Sequence, residues 1–137
     1  MDQMRGTSVS GTAQGSFSED DFVQGIYDAV FRAAVDDAVS MMSRPPGRTP
    51  PPERMELSRW WGGLGEGDRD MVRRALELAA DLAVFGFLCV LDNVRTIADV
   101  PDLMLRLHAE VDGAEQLIPA DEATELHDLF GALVNGD

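Results

Sequence analysis

The chain has 137 residues, a net charge of −14 and an apolar fraction of 45%. This length fits one ordinary domain, and the composition is that of a soluble globular protein rather than a disordered or membrane protein. The excess of acids disfavours unassisted binding to nucleic acids or anionic lipids, because both would be repelled. Cys89 is the only cysteine, which excludes an intramolecular disulfide and gives no indication of an oxidising compartment.

The first 17 residues are rich in Gly, Ser, Thr and Gln, which predicts a disordered tail before a globular domain of residues 18–137. This segment lacks the basic start and apolar stretch of a signal peptide, so we expect a cytoplasmic protein. Ser18 and the acids after it predict the start of a helix that ends near Met42 or Ser43. Its apolar residues recur at spacings of three and four and predict one inward stripe, namely Phe22, Ile26, Ala29, Val30, Ala33, Ala34 and Met41.

Five prolines within residues 44–53 predict an extended linker. A stiff connector is the preferred interpretation, and a docking site for a proline-binding domain is the alternative. A short helix over residues 55–64 should follow, and it carries Trp60 and Trp61. The pair predicts either an exposed binding patch, or one ring that covers the core while the other lies on the surface beside Arg59.

Asp68 is the expected cap of a long central helix that ends at Asp92 and Asn93. Residues 83–91 are apolar on every side, which predicts a buried core helix because the stretch is too short to span a membrane. Gly86 inside it predicts the close approach of another backbone. The first half is amphipathic, with these residues expected to face inward: Met71, Val72, Ala75, Leu76, Ala79 and Leu82.

Residues 103–111 alternate between apolar and polar, and Asp112-Gly113 follows, which favours a β-hairpin with residues 114–118 as its second strand. A helix remains the alternative, because leucines four residues apart at its start also fit a helix. Asp121 is the expected cap of a final helix that Asn135-Gly136 ends. The sequence therefore predicts a predominantly helical α+β domain, with two long helices, a short helix, a C-terminal hairpin and a terminal helix.

No pattern indicates an enzyme, a cofactor or a metal site. Glu125, His127 and Asp128 are close in sequence, but such neighbours point in different directions along a helix, so we expect no shared metal ion. Cys89 lies in an apolar stretch that disfavours its thiolate. The glycines of residues 62–67 follow no strand and precede no lysine, which is typical of a turn rather than a phosphate-binding loop.

The acidic residues are unevenly distributed. Residues 99–137 carry a net charge of −9, whereas residues 44–74 carry +2. This asymmetry predicts one strongly anionic end that would attract a basic protein. Three other interpretations stay open: the lysine-free composition is common in GC-rich genomes, an excess of acids is common in salt-adapted proteins, and a run of acids is often only a solvated surface.

Within residues 79–130 the chain resembles a set of small acidic, immunity-protein-like bacterial proteins, mostly uncharacterised, which are similar in size and charge to the immunity proteins that neutralise toxins delivered between competing bacteria. The resemblance lies in FGFLCVLDNVRTIAD from Phe85, in the strand-Asp-Gly-strand segment after it, and in ELHDLF from Glu125. Asn93 stands where such proteins often have glycine, and asparagine can adopt the same backbone conformation. These motifs are apolar and structural, so the resemblance implies a shared fold and transfers no functional residue.

Together these patterns predict a non-enzymatic, cytoplasmic, immunity- or antitoxin-like inhibitor that covers a cationic surface of a partner such as a nuclease-like toxin or another nucleic-acid-binding protein. The alternative is a structural module that self-assembles, for example as a homodimer, through the apolar stripe of residues 18–43 or the Trp60-Trp61 patch. The residues expected to bind the partner are Glu110, Asp112, Glu115, Asp121, Glu122, Glu125 and Asp128, with Trp60 and Trp61.

Overall fold

The computed structural model describes residues 16–136, so most of the expected tail over residues 1–17 lies outside the described residues. Phe17 is within them. Its ring packs against the hydrophobic core, and its carbonyl accepts a hydrogen bond from the side-chain amide of Gln116. The packed part of the chain therefore includes Phe17.

The first long helix consists of α1 (Glu19–Ile26), a π-helical segment (Tyr27–Arg32) and α2 (Ala33–Ser43). It begins as predicted, because the Ser18 hydroxyl accepts a hydrogen bond from the Asp21 backbone at 3.1 Å and the Asp21 carboxylate accepts one from the Ser18 backbone at 3.0 Å. The Ser18 backbone N–H and the Ser18 hydroxyl both donate to the charged Asp21 carboxylate, and these two bonds lower the pKa of that carboxyl. The helix also ends as predicted, directly before Arg44.

The inward stripe predicted for this helix is wrong beyond its first turns. The π-helical segment has a wider turn than an α-helix and therefore rotates the residues that follow it. Four of the predicted inward residues are exposed as a result: Ala29, Val30, Ala34 and Met41. The buried residues of the helix are Val23, Phe31, Val35 and Met42.

The second helix, α3 (Pro52–Gly62), begins inside the predicted proline linker. Proline is tolerated at the first position of a helix, where the backbone N–H has no helical partner in any case. The extended connector is therefore two residues shorter than predicted. The glycines after α3 form a turn, with Gly63 ending that helix and Gly65 capping the next.

The central helix, α4 (Glu66–Leu91), begins before Asp68 rather than at it. It packs against α2, the π-helical segment and the last helix on one side only. Its core-facing residues, which we call the inner face, follow a spacing of three and four: Ala80, Val84, Leu88 and Leu91.

Two predictions for α4 are therefore wrong. Met71, Ala75, Ala79 and Leu82, which were expected to face inward, are exposed, because they lie on the side of α4 away from the core. Phe87, within the stretch expected to be wholly buried, is 62% exposed.

The hairpin prediction is confirmed, and the helical alternative is wrong. Strands β1 (Leu107–Val111) and β2 (Ala114–Ile118) pair antiparallel around Asp112-Gly113. Both turn residues have positive φ, at 52° and 81°, as a two-residue hairpin turn requires. The first strand begins four residues later than residue 103, where the expected alternation started.

The last helix, α5 (Leu126–Asn135), ends as predicted at Gly136, whose φ is 75°. Its predicted start at Asp121 is wrong. The Asp121 carboxylate instead accepts a hydrogen bond from the Ala123 backbone at 2.9 Å and stabilises a separate turn before the helix.

The core lies where α1, the π-helical segment, α4, α5 and the end of β2 meet. Leu126 and Phe130 of α5 are fully buried there, and Phe31 contacts the Phe130 ring edge-on at a centroid distance of 5.7 Å. The fold is thus predominantly helical α+β, as the sequence predicts. None of the helices within residues 16–136 combines the length and apolar character needed to cross a bilayer.

Candidate interaction site

Asp92 joins the end of α4 to the start of α5. Its side chain is only 3% exposed. One carboxylate oxygen accepts a hydrogen bond from the Leu126 backbone at 2.9 Å, and the other accepts one from the His127 backbone at 2.8 Å. The first N–H groups of a helix have no helical partner, and a negative charge near them is favourable. Asp92 therefore caps a helix that begins 34 residues further along the chain.

The His127 ring lies between carboxylates. Its Nδ1 is 2.6 Å from an Asp92 oxygen, and its Nε2 is 3.2 Å from a Glu125 oxygen and 3.4 Å from an Asp128 oxygen. The face of the site opposite these acids is apolar, because the ring meets Phe85 edge-on at a centroid distance of 5.3 Å. His127 is thus fixed on one side by Asp92 and faces outward to two acids.

The expectation that Glu125, His127 and Asp128 would diverge is wrong. It assumed one continuous helix from Asp121, whereas Glu125 precedes α5 in an extended conformation, with φ −112° and ψ 128°. Its carboxylate can therefore reach the ring of His127. The three side chains bring possible metal ligands within 4.8 Å of one another. Acidic side chains gather in this way without an ion as well, and nothing else in residues 16–136 points to one here.

The hairpin brings two glutamates face to face. Glu110 is directly opposite Glu115 across the strand pair, and both are exposed. Like charges in this position destabilise a sheet. The next pair on the same face is His108 and Leu117. On the outer face of the hairpin the two carboxylates thus lie nearer to the turn than His108 and Leu117 do.

A groove lies between the hairpin and the segment before α5. Of the predicted acids, Glu122 and Glu125 line it, together with Asp92, Arg106 and Leu117. Leu117 is two residues from Glu115, so both side chains lie on the same side of β2. The paired Glu110 and Glu115 therefore lie on the hairpin face that continues to Leu117 at this groove. We call the seven predicted acids the acidic surface: Glu110, Asp112, Glu115, Asp121, Glu122, Glu125 and Asp128.

Among the described residues no arginine forms an ion pair with the acidic surface, although Arg106 lines the same groove as Glu122 and Glu125. The arginine ion pairs within residues 16–136 join Arg73 to Asp36 and Glu77, and Arg74 to Asp70. Six of the seven carboxylates are exposed, and that of Glu125 is half-buried. The acidic surface therefore presents largely uncompensated charge to solvent.

The tryptophans do not form one patch. Trp61 is 6% exposed, its Nε1 donates a hydrogen bond to the Ser43 hydroxyl at 3.1 Å, and the Arg69 guanidinium lies 5.2 Å from its ring centroid. Trp61 is therefore part of the packing between α2 and α3, which contradicts its place in an exposed site. Trp60 is 51% exposed, so its ring can still contact a partner.

Asn93 and Gly86, which lie near the site, both make contacts with residues that the sequence did not predict. Asn93 ends α4 with φ 62°, as predicted, and its side-chain amide also makes two hydrogen bonds to the Leu105 backbone, at 2.8 and 2.9 Å. Gly86 faces the Arg95 guanidinium, so a side chain and not a backbone approaches it closely. Burial raises the pKa of the Cys89 thiol, which agrees with the expected inert cysteine.

The most important residue that the sequence analysis missed is Asp92. The sequence indicated Asp92 only as the end of α4. Its hydrogen bonds reach a backbone 34 residues further along the chain, and such a distant contact produces no periodic pattern in the sequence. No protein family, curated protein or solved structure was found to match this chain. The similarity to immunity proteins therefore stays a prediction.

Proposed function

We propose that this protein is a non-enzymatic, cytoplasmic inhibitor of the immunity or antitoxin kind, which covers a cationic surface of a basic protein partner with its acidic surface. The supporting observation is the set of seven carboxylates on the hairpin, before α5 and in its first turn, none of which forms an ion pair with an arginine of residues 16–136. Charge of this density attracts a basic partner from a distance and discriminates against acidic ones.

The opposed pair Glu110 and Glu115 adds to this argument. Directly opposed like charges lower the stability of a hairpin, so they are unfavourable for folding alone. A guanidinium or ammonium group of a partner placed between them would remove that repulsion. The pair is therefore a good position for a basic side chain.

The alternative of self-assembly through residues 18–43 or the tryptophan pair has less support. The exposed residues of the predicted stripe do not form an unbroken apolar face, because the exposed Asp37 stands between Ala34 and Met41. Trp61 packs inside the protein. Trp60 remains as one exposed ring at the end of α3.

The test is a charge reversal on the acidic surface. The variant E110R/E115R/E122R/D128R should lose capture of basic proteins from a low-salt pull-down and should lose binding to poly-L-arginine. All four side chains are exposed, so we expect the far-UV spectrum to be unchanged. For the unaltered protein, high salt should lower the association rate by roughly ten- to a thousandfold, because screening removes the long-range attraction.

The matched control is D37R/E53R/E56R/E66R, which makes the same change in net charge at exposed positions elsewhere. It should retain capture. Equal losses in both variants would show that net charge alone drives binding and would contradict the assigned surface. The inhibitory role is then measured by adding the protein to the captured partner and following that partner's nucleic-acid binding or cleavage, which should fall.

A further inference from the structure

Helix α4 has a second apolar face that nothing in residues 16–136 covers. Met71, Leu78 and Leu82 are 60%, 59% and 62% exposed, and Ala75 between them is exposed as well. These four residues, which we call the outer stripe, lie on the side of the helix opposite the inner face. Single exposed apolar side chains are ordinary, but four in line over three turns are typical of an interaction surface.

The spacing within the outer stripe is four, three and four residues. This is the pattern by which two helices pack side by side, with each side chain inserted between those of the other helix. Ala79 borders the stripe, and a small side chain there allows a second helix to come close. The pattern therefore specifies a helix as the occupant.

The outer stripe is complementary to itself when two copies run antiparallel. Met71 of one copy then faces the partner's Leu82, and Ala75 faces the partner's Leu78. A twofold axis between residues 76 and 77 relates the two halves, as a symmetric dimer requires.

The charges beside the stripe fit the same arrangement. Arg74 and Asp81 lie on the same edge, seven residues apart, so they do not pair well within one helix. In the antiparallel arrangement Arg74 faces the partner's Asp81, and the symmetry forms this pair twice. A parallel arrangement places Arg74 opposite the partner's Ala79 and forms no such pair. Residues 66–82 carry a net charge of only −2 of the total −14, so repulsion between copies through this segment is small.

We propose that two copies of this chain associate through the outer stripes of α4, antiparallel, with Arg74 of each copy paired to the partner's Asp81. The contact covers about three turns of helix, which places it at the low end of specific interfaces, below ~1,200 Å². The dimer is therefore weak and depends on protein concentration. This surface is separate from the acidic surface and is independent of the proposed function.

The first experiment is sedimentation equilibrium of the full chain from low micromolar to millimolar concentration. The unaltered protein should show a monomer–dimer equilibrium. Leu78→Glu should weaken dimerisation at least about tenfold, because it places a charge within the outer stripe at the centre of the contact. Its matched control is Phe87→Glu, which also replaces an apolar side chain by glutamate at a similarly exposed residue, roughly 180° from Leu78 around α4, and it should dimerise normally.

The second experiment tests the orientation. Arg74→Asp and Asp81→Arg should each weaken the dimer, since each sets like charges face to face, and the double variant R74D/D81R should restore it. A monomer at every concentration, equal effects of Leu78→Glu and Phe87→Glu, or no rescue by the double variant would each overturn the proposal. Capture of basic proteins by Leu78→Glu should match that of the unaltered protein, so either proposal can fail without the other.

Discussion

The two halves of α4 are both rich in leucine, alanine and valine, but they differ in what surrounds them. In the second half Val84, Leu88 and Cys89 are buried and Phe87 is 62% exposed. The end of this half is covered by the Arg95 side chain and by the backbone of Val94, whose N–H donates a hydrogen bond to the Cys89 carbonyl at 2.9 Å. In the first half only one side is covered, and Met71, Leu78 and Leu82 face solvent. The difference shows that burial follows from the neighbouring elements and not from the apolar content of the helix.

The largest expected effect comes from a matched pair of leucines on this helix. Leu88 is 1% exposed and Leu82 is 62% exposed. Leu88→Ala should lower the free energy of unfolding by about 2–5 kcal/mol, because it leaves a cavity in the core. Leu82→Ala should change it by less than about 0.5 kcal/mol. Urea denaturation monitored by circular dichroism, at a concentration where the protein is monomeric, measures both. Similar losses in the two variants would contradict the comparison.

The next effect concerns the carboxylate that connects α4 to α5. Asp92→Ala should lower the free energy of unfolding by about 1–3 kcal/mol, because two buried backbone N–H groups lose their acceptor. Asp81→Ala, on the same helix but with no such contact, is the control and should be close to neutral in the monomer. Hydrogen exchange gives a second readout: the amides of Leu126 and His127 should lose protection in Asp92→Ala alone. Unchanged exchange at both amides would mean that Asp92 does not cap α5.

The smallest effect is expected at Gly86, at the point where the covered half of α4 is closest to another side chain. A methyl group added here meets only the end of the flexible Arg95 side chain. That side chain can move, and alanine is favoured over glycine within a helix, so Gly86→Ala should raise the free energy of unfolding by roughly 0.5–1 kcal/mol. Thermal denaturation measures the gain, with Arg95→Ala as a second background. A clear loss of stability would show that Arg95 is held firmly above Gly86.

Features that depend on local chemistry could be predicted from the sequence. Ser18 with Asp21 specified a helix start, Asp112-Gly113 specified the hairpin, and Asn93 and Gly136 specified helix ends, because each acts on residues within one turn of itself. These signals were sufficient for the fold class.

Features that depend on distant neighbours could not be predicted. The π-helical segment changes which side of the first helix is buried, and no residue type marks it. The two apolar faces of α4 are equivalent in the sequence until α2 and α5 pack against one of them. The cluster around His127 needed both the late start of α5 and the contact with Asp92, which is remote in sequence. The acids of the candidate site could be named in advance, but the groove that Glu122 and Glu125 line beside the hairpin could not.

The Asp92 carboxylate has a consequence for how this fold tolerates change. Because this carboxylate accepts hydrogen bonds from the first N–H groups of α5, it holds the two ends of the segment 93–125 close together. The stability of the packed helices should then depend little on the length of this segment, because lengthening a closed loop costs little additional entropy. Residues inserted at the Asp112-Gly113 turn would change the exposed surface of the hairpin, while Ile118 keeps the other end of the hairpin packed in the core.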